Sequence, residues 1–382
     1  MSRRRVVSVV GTRPNYMKIA PIASLLGERE DFEHVLVHTG QHYDDSMSKI
    51  FFEQLRVGAP DHFLEVGSGS HGAQTARVME RLEPLLTELA PDVVLVPGDV
   101  NSTMAAALVS CKLGVRVGHV EAGLRSFDRT MPEEINRVVA DSVSDLLFIH
   151  SPEARTNLLA EGAPQESIFD VGNTMIDTLA AMLPRVDAAD TARTLGLTEG
   201  DYLLVTLHRP ALTDGPLLAA ALEALRAVGA QLPVVFPVHP RTRARIEAEQ
   251  LDTRGMTLLD PLGYIEFMSL VRSSTALLTD SGGIQEETSY LGIPCFTLRD
   301  NTERPVTVSA GTNTLLGLAP ERIASVPELL DGRARRVPAQ IPGWDGAAAQ
   351  RIVDVLTRAE LPSRVTLTAR RLTPTGRTHG PL

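Results

Sequence analysis

Arg5-Val6-Val7-Ser8-Val9-Val10-Gly11-Thr12-Arg13-Pro14 is the stretch that decides the fold class. A short valine-rich run without a charge, stopped by a glycine turn, reads as a strand buried on both faces. The basic start, Arg3-Arg4-Arg5, resembles the front of a secretory signal. The apolar stretch is too short for one, and it runs straight into Gly-Thr-Arg-Pro. The chain then repeats the rhythm of strand, polar turn and amphipathic helix, which is the signature of parallel βαβ units. In the first half, strands are predicted at 5–10, 33–38, 92–96, 115–120 and 146–150, and helices at 74–89, 103–113 and 132–143. In the second half, strands are predicted at 202–207, 233–238, 256–259, 276–279 and 294–298, and helices at 216–228, 264–271 and 283–291. The expected class is α/β, with two Rossmann-like doubly wound domains facing across a cleft. Residues 1–172 form the first domain and 173–345 the second, with a hinge over 171–198. A helix at about 346–360 packs back on the first domain, and the arginine-bearing tail over 361–382 reads as disordered.

Composition narrows the function. The 382 residues are 43% hydrophobic and 22% charged, as in a globular protein, and aromatics are only 4%, so the core is mainly aliphatic. A net charge of −10 argues against a general nucleic-acid binder or a protein that seeks anionic membranes. No apolar run approaches the length of a membrane-spanning helix. Two cysteines, Cys111 and Cys295, cannot make a disulfide framework and fit a reducing compartment, hence the cytoplasm.

The polar motifs fall at strand ends, where open parallel sheets bind ligands. Gly11-Thr12-Arg13, Thr39-Gly40-Gln41-His42, Gly98-Asp99 and Glu121-Ala122-Gly123 follow strands of the first half. His208-Arg209-Pro210, His239-Pro240-Arg241, Asp280-Ser281-Gly282-Gly283 and Arg299–Pro305 follow strands of the second. Together they describe one interdomain cleft. Ser281-Gly282-Gly283 suits a phosphate, because a helix N-terminus offers free N–H groups and glycine lets the ligand reach the backbone. Ser281 or Asp280 as a plain helix cap is the competing reading. Glu286 and Glu287, one turn on, could reach a ribose diol. Arg13 and Arg304 could neutralise a diphosphate, and with no Asp-x-Asp triplet in the chain no metal site is expected. Asp99, Glu121 and Glu133 are candidate acids and bases, since carboxylates gathered in a partly dry cleft can have their pKa values pushed apart. Helix-start roles compete for Asp99 and for the Glu133-Glu134 pair. His34, His38 and His42 are spaced as helical metal ligands but fall on a strand and its loop, so they do not converge.

These motifs resemble the non-hydrolysing UDP-N-acetylglucosamine 2-epimerases over roughly residues 5 to 358. Val10–Pro14, Thr39–His42, Gly98-Asp99, Gly118–Arg125, Pro132–Arg137, Thr206–Arg209, Thr279–Glu287 and Thr302–Pro305 carry the match. The resemblance implies the GT-B arrangement of two Rossmann-like domains, a homodimer, and no cofactor. It implies reversible inversion at C2 of UDP-N-acetylglucosamine through a glycal, with Asp99, Glu121, Glu133 and His208 as catalytic groups. It places Arg13, Lys18, Arg137 and Arg304 near the diphosphate and sugar. Ser281, Gly282 and Gly283 become the phosphate turn, Glu287 the ribose ligand and Phe267 a uracil-side contact. Ala211-Leu212 stand where the family commonly shows Glu-Asn after His-Arg-Pro. Tyr43-Asp44 and residues 67–74 differ from members that are activated by a second substrate molecule, so no such activation is expected. A hydrolysing or substrate-shifted epimerase of polysaccharide or antibiotic biosynthesis, a GT-B glycosyltransferase and a nucleotide-sugar-binding regulator remain open alternatives.

Overall fold

A computed structural model describes residues 3–41, 58–331 and 337–358. The expectations for His42, Tyr43, Asp44 and the 361–382 tail lie outside the described residues. The described chain forms two sheets in which every pairing is parallel. The first contains β1 (Arg4–Val10), β2 (Phe32–His38), β3 (His62–Phe63), β4 (Val93–Pro97), β5 (Arg116–Val120), β6 (Leu146–Ile149) and β7 (Ile168–Asp170). Their order is β3-β2-β1-β4-β5-β6-β7. The second contains β8 (Leu203–Thr206), β9 (Val234–Pro237), β10 (Met256–Leu259), β11 (Ala276–Thr279), β12 (Cys295–Thr297) and β13 (Asn313–Leu315), in the order β10-β9-β8-β11-β12-β13. The main helices of the first half are α1 (Arg13–Gly27), α2 (His71–Leu89), α3 (Asn101–Lys112), α4 (Pro132–Val143), α5 (Pro152–Ala160) and α6 (Thr174–Ala189). Those of the second are α7 (Leu217–Gly229), α8 (Pro240–Ala248), α9 (Tyr264–Ser273), α10 (Gly283–Leu291) and α11 (Ala348–Thr357).

The β1 valines show why the run does not alternate; its one polar member, Ser8, is buried with its hydroxyl 2.9 Å from His34 Nε2. Val7 and Val9 pack with Leu82 and Leu86 of α2 and Ala106 and Ala107 of α3. Val6 and Val10 face the other way, into a core shared with Ile19 and Ile22 of α1 and Ile352 and Val353 of α11. A strand covered on both faces calls for apolar residues on both.

Three local differences have simple causes. Arg13-Pro14 is the first turn of α1 rather than a loop, because Asn15 Oδ1 accepts from the amides of Gly11 and Thr12, each at 3.2 Å, and proline is tolerated in a first turn. The expected hinge holds a full helix, α6, started by Asn173, whose side chain accepts from Met175 N at 2.9 Å. Met175, Leu179, Met182 and Val186 of α6 join the same core as α1 and the second-lobe residues Tyr264, Met268 and Ile284. The edge strands β3 and β13 were not anticipated; at two and three residues they are too short to carry a hydrophobic pattern.

Each sheet reverses its winding once. The chain goes from β1 outward to β2, then returns to β4 on the opposite side of β1; β8, β9 and β11 do the same. The gaps at the carboxyl ends of β1/β4 and β8/β11 are the switch points where such sheets bind ligands.

Candidate functional site

The two switch points open onto one cleft of about 550 Å³. From the first lobe it is lined by Arg13, Lys18, Asp99, Glu133 and Arg137, and from the second by His208, Phe267, Ser281, Gly282, Gly283, Glu287 and Arg304. Of the residues given a catalytic or substrate-binding role from the sequence, Glu121 alone is not in the lining; the strand-end motifs Thr39-Gly40-Gln41 and His239-Pro240-Arg241, also expected at the cleft, lie outside it. Glu121 lies directly behind the lining, buried, with Lys18 Nζ at 2.5 Å and Arg304 NH2 at 2.7 Å.

Glu121 follows β5 in a left-handed backbone conformation, φ 74°. That region is uncommon for a residue with a Cβ. The amides of Glu121 and Ala122 both donate to the Phe148 carbonyl, at 3.1 and 3.0 Å, and anchor the turn. Burial by itself would raise the Glu121 pKa, but Lys18, Arg304 and His150 outweigh it and hold the carboxyl at about 2. Glu121 is therefore a clamped anion. Arg304 is the hub of this cluster. Its Nε is 3.0 Å from Glu286 Oε1 and its NH1 is 3.5 Å from Glu303 Oε2. Burial would weaken its charge, but Glu286, Glu121, Glu303 and Asp99 hold it firmly protonated. Glu303 is itself gripped by Arg299, with contacts of 2.9 and 2.6 Å.

Asp99 follows Gly98, a glycine with φ 65°. The positive φ calls for glycine here, and a Cβ at position 98 would sit 2.9 Å from Lys18 Nζ and push the ammonium aside. Asp99 is not a helix cap; Val100 is the N-cap of α3, and the Asp99 carboxylate pairs with Arg137. The first turn of α4 divides its two glutamates. Glu134 is buried and accepts from Ser126 N, Phe127 N and Arg137, so it is structural, whereas Glu133 is half-buried and faces the cleft.

In the second lobe, Gly282 is the N-cap of α10, and neither Ser281 nor Asp280 caps it. A Cβ on Gly282 would sit 2.8 Å from Arg304 NH1, so the turn lets the guanidinium lie against bare backbone. Glu287 is buried, and the Tyr264 hydroxyl donates to its Oε1 at 2.8 Å. Burial is the main cause that lifts Glu287 to about 7, helped by Glu286 and opposed by Tyr264 and Arg13. Glu286, also considered for a ribose, is fully buried between Arg304 and His150 Nε2, the latter at 3.3 Å. Glu121 and Glu287, one from each lobe, are thus pushed to opposite sides of the ordinary carboxylate range.

Sequence reasoning missed two residues here. Asp280 accepts from the amides of His208 and Arg209, at 2.9 and 2.7 Å, and contacts His208 Nδ1 at 2.9 Å. Tyr264 orients Glu287. Asp280 was visible only as a strand-end carboxylate; its partner follows from β8 lying beside β11, which no local pattern reveals. Leu212 of the divergent Ala-Leu pair is buried in the second-lobe core. His34 and His38 lie on β2, and among the described residues no three His, Cys, Asp or Glu side chains are grouped to hold a metal ion. Gln41 accepts from Ser102 N and Oγ at 3.0 and 2.7 Å, as part of the packing behind α3.

The family model described as UDP-N-acetylglucosamine 2-epimerase matches residues 25–357. A curated UDP-N-acetylglucosamine 2-epimerase of Methanocaldococcus jannaschii is 40% identical over 91% of this chain and 98% of its own. A Pseudomonas aeruginosa UDP-2,3-diacetamido-2,3-dideoxy-D-glucuronate 2-epimerase is 39% identical over 93% and 99%. The crystal structure of M. jannaschii UDP-GlcNAc 2-epimerase with UDP-GlcNAc and UDP superposes with a TM-score of 0.82 at 39% identity, covering 92% of this chain and 99% of that one. With a family model spanning most of its length and relatives near two-fifths identical end to end, the chain belongs to the UDP-N-acetylglucosamine 2-epimerase family.

Proposed function

We propose that this protein interconverts UDP-N-acetylglucosamine and UDP-N-acetylmannosamine by inverting C2. The observation that carries the reading is that the phosphate-type turn of one lobe and the carboxylates of the other line a single cleft. The C2 proton is not acidic while C1 is saturated. As the C1–O bond breaks and its electron pair leaves with UDP, a base removes the C2 proton, and a C1=C2 double bond forms. UDP then re-adds at C1 while an acid protonates the opposite face of C2. Asp99, Glu121 and Glu133 are the assigned acid/base groups. Arg13, Arg137, Arg304, Lys18 and the α10 N-terminus meet the developing diphosphate charge. Glu287 takes the ribose and Phe267 the uracil side. An incoming diphosphate competes for Lys18 and Arg304, which loosens the hold on Glu121 just when a base is needed. The two lobes would act as the separate domains expected from the sequence, 1–172 and 173–345, with α11 returning to the first. A homodimer in the cytoplasm belongs to the same reading. Family membership supports the first part, and the free thiols Cys111 and Cys295 accord with the second. Light scattering at twice 41.3 kDa tests the dimer.

Proton NMR of the reaction in D₂O tests the chemistry. The second epimer should appear with deuterium at C2 in both sugars; an epimer that keeps its original hydrogen overturns the mechanism. The diacetamido-glucuronate relative supports a second reading, a shifted UDP-aminosugar substrate, and the same assay run on a panel of UDP-sugars separates the two.

A further inference from the structure

Asp280 stands at the end of β11, and His208 stands two residues beyond the end of β8, where Thr279 and Thr206 are paired. Asp280 is 0% exposed, while the His208 side chain is 51% exposed and lines the cleft. The Asp280 carboxylate receives the His208 amide at 2.9 Å, the Arg209 amide at 2.7 Å and the His208 ring Nδ1 at 2.9 Å. An ionised carboxylate only accepts, so this contact assigns the proton to Nδ1. The two amide bonds fix where the loop leaves the sheet, and the ring contact fixes how the imidazole hangs from it. Nε2 is then the ring nitrogen left for a ligand.

We infer that Asp280 is a positioning residue for the reaction, holding His208 in the Nδ1–H form and aiming its Nε2 at the departing diphosphate. The identity of the leaving group rests on the epimerase reading; the tautomer does not. When the ring is protonated, Nε2–H donates a hydrogen bond to a diphosphate oxygen as the C1–O electron pair leaves with UDP. No proton need be transferred in that step. The buried carboxylate behind the ring stabilises the imidazolium, as a second carboxylate partner does for histidines elsewhere.

Two experiments on the full chain test this. The first uses ¹⁵N-histidine NMR of the unliganded protein at a pH where the ring is neutral, with the His208 signals identified by their loss in His208→Ala. Protonated Nδ1 and bare Nε2 are expected; the opposite tautomer overturns the inference without any Asp280 variant having to fold. The second is a kinetic cycle. Asp280→Asn should lower kcat by about 10²–10⁴-fold, the range of one proton-transfer or polarising group, and change KM much less. In a His208→Ala background the same change should cost almost nothing further, because groups that act as a unit are not additive. An equal loss in both backgrounds shows that Asp280 acts without His208 and overturns the inference. If the wild-type protein epimerises no UDP-sugar, the functional reading falls, while the tautomer measurement still decides the role of Asp280.

Discussion

Glu121 and Glu287 show how far apart one cleft can push two identical side chains. Both are buried, and burial alone would lift both. Glu121 lies against Lys18 and Arg304 and is driven to about 2, whereas Glu287 has a neutral phenol as its hydrogen-bond donor and rises to about 7. The positions of both were legible, one at a strand end and the other a turn after Gly-Gly. Their charge environments were not, because Lys18, Arg304 and Tyr264 come from elements far apart in the chain. The Glu287 value carries a pH prediction. A carboxyl raised in the folded state contributes stability at low pH that is lost as pH climbs from the ordinary 4.5 through about 7. If the ribose hydroxyls donate to an ionised Glu287, binding a UDP-sugar near pH 6 draws a proton off Glu287, since the nucleotide-sugar diphosphate does not titrate there. The share of the affinity that Glu287 supplies should therefore strengthen as pH rises toward neutrality. Calorimetry in buffers of different ionisation enthalpy should show that release in the wild type and lose it in Glu287→Gln. Identical buffer dependence in the two proteins would remove Glu287 from the nucleotide contact.

At the scale of elements, long apolar runs declared themselves, and short or borrowed features did not. β4 and β6 are nearly solid hydrophobic runs and β1 is one beyond its two arginines, broken only by Ser8, which is what burial on two faces favours. α6 was hidden because Pro184 and a segment read as a hinge masked its apolar face. α11 has a different kind of hidden feature. Its N-cap, Ala347, has no side-chain oxygen, and the first-turn amides of Ala348 and Ala349 instead donate to Asp177 of α6, at 3.1 and 2.7 Å. A cap supplied from another helix does two jobs: it satisfies two orphan donors and ties α11 to α6. Asp177→Ala should lower the unfolding free energy by about 1–2 kcal/mol, the usual worth of a cap. Asp177→Asn keeps one acceptor and should lose less. Urea melts of the three proteins check the order; an unchanged midpoint for the alanine variant would show that α11 is held by its apolar face alone.

At the scale of the whole molecule, the lobes are joined by more than the chain. Arg304 and Glu286 of the second lobe reach Glu121 and His150 of the first, and Trp344 Nε1 donates to the His150 carbonyl at 2.9 Å. The sequence analysis places Glu121, Glu286 and Arg304 in motifs, leaves Trp344 unmarked, and says nothing of the pairing, since a contact such as Arg304–Glu121, 183 positions apart, leaves no period to read. This buried tie differs in kind from pairs such as Arg254–Asp252 on the surface, which are worth little. Removing one partner of a buried pair leaves the other charge stranded, at a cost of about 3–5 kcal/mol, while removing both largely restores the balance. Arg304→Met should therefore destabilise the protein by an amount in that range, chiefly by stranding the buried Glu286, since Glu121 keeps Lys18, and Arg304→Met with Glu286→Gln should recover part of it. The loss should change little between low and high salt, because buried charges are poorly screened. X-ray scattering should show the single variant more open than the wild type, because the lobes lose the contact that closes the cleft over Glu121. A single variant as stable and as compact as the wild type would mean that the lobes are held by the α1–α6–α9 core alone, and that the Glu121–Arg304 pair only poises the site for its anionic ligand.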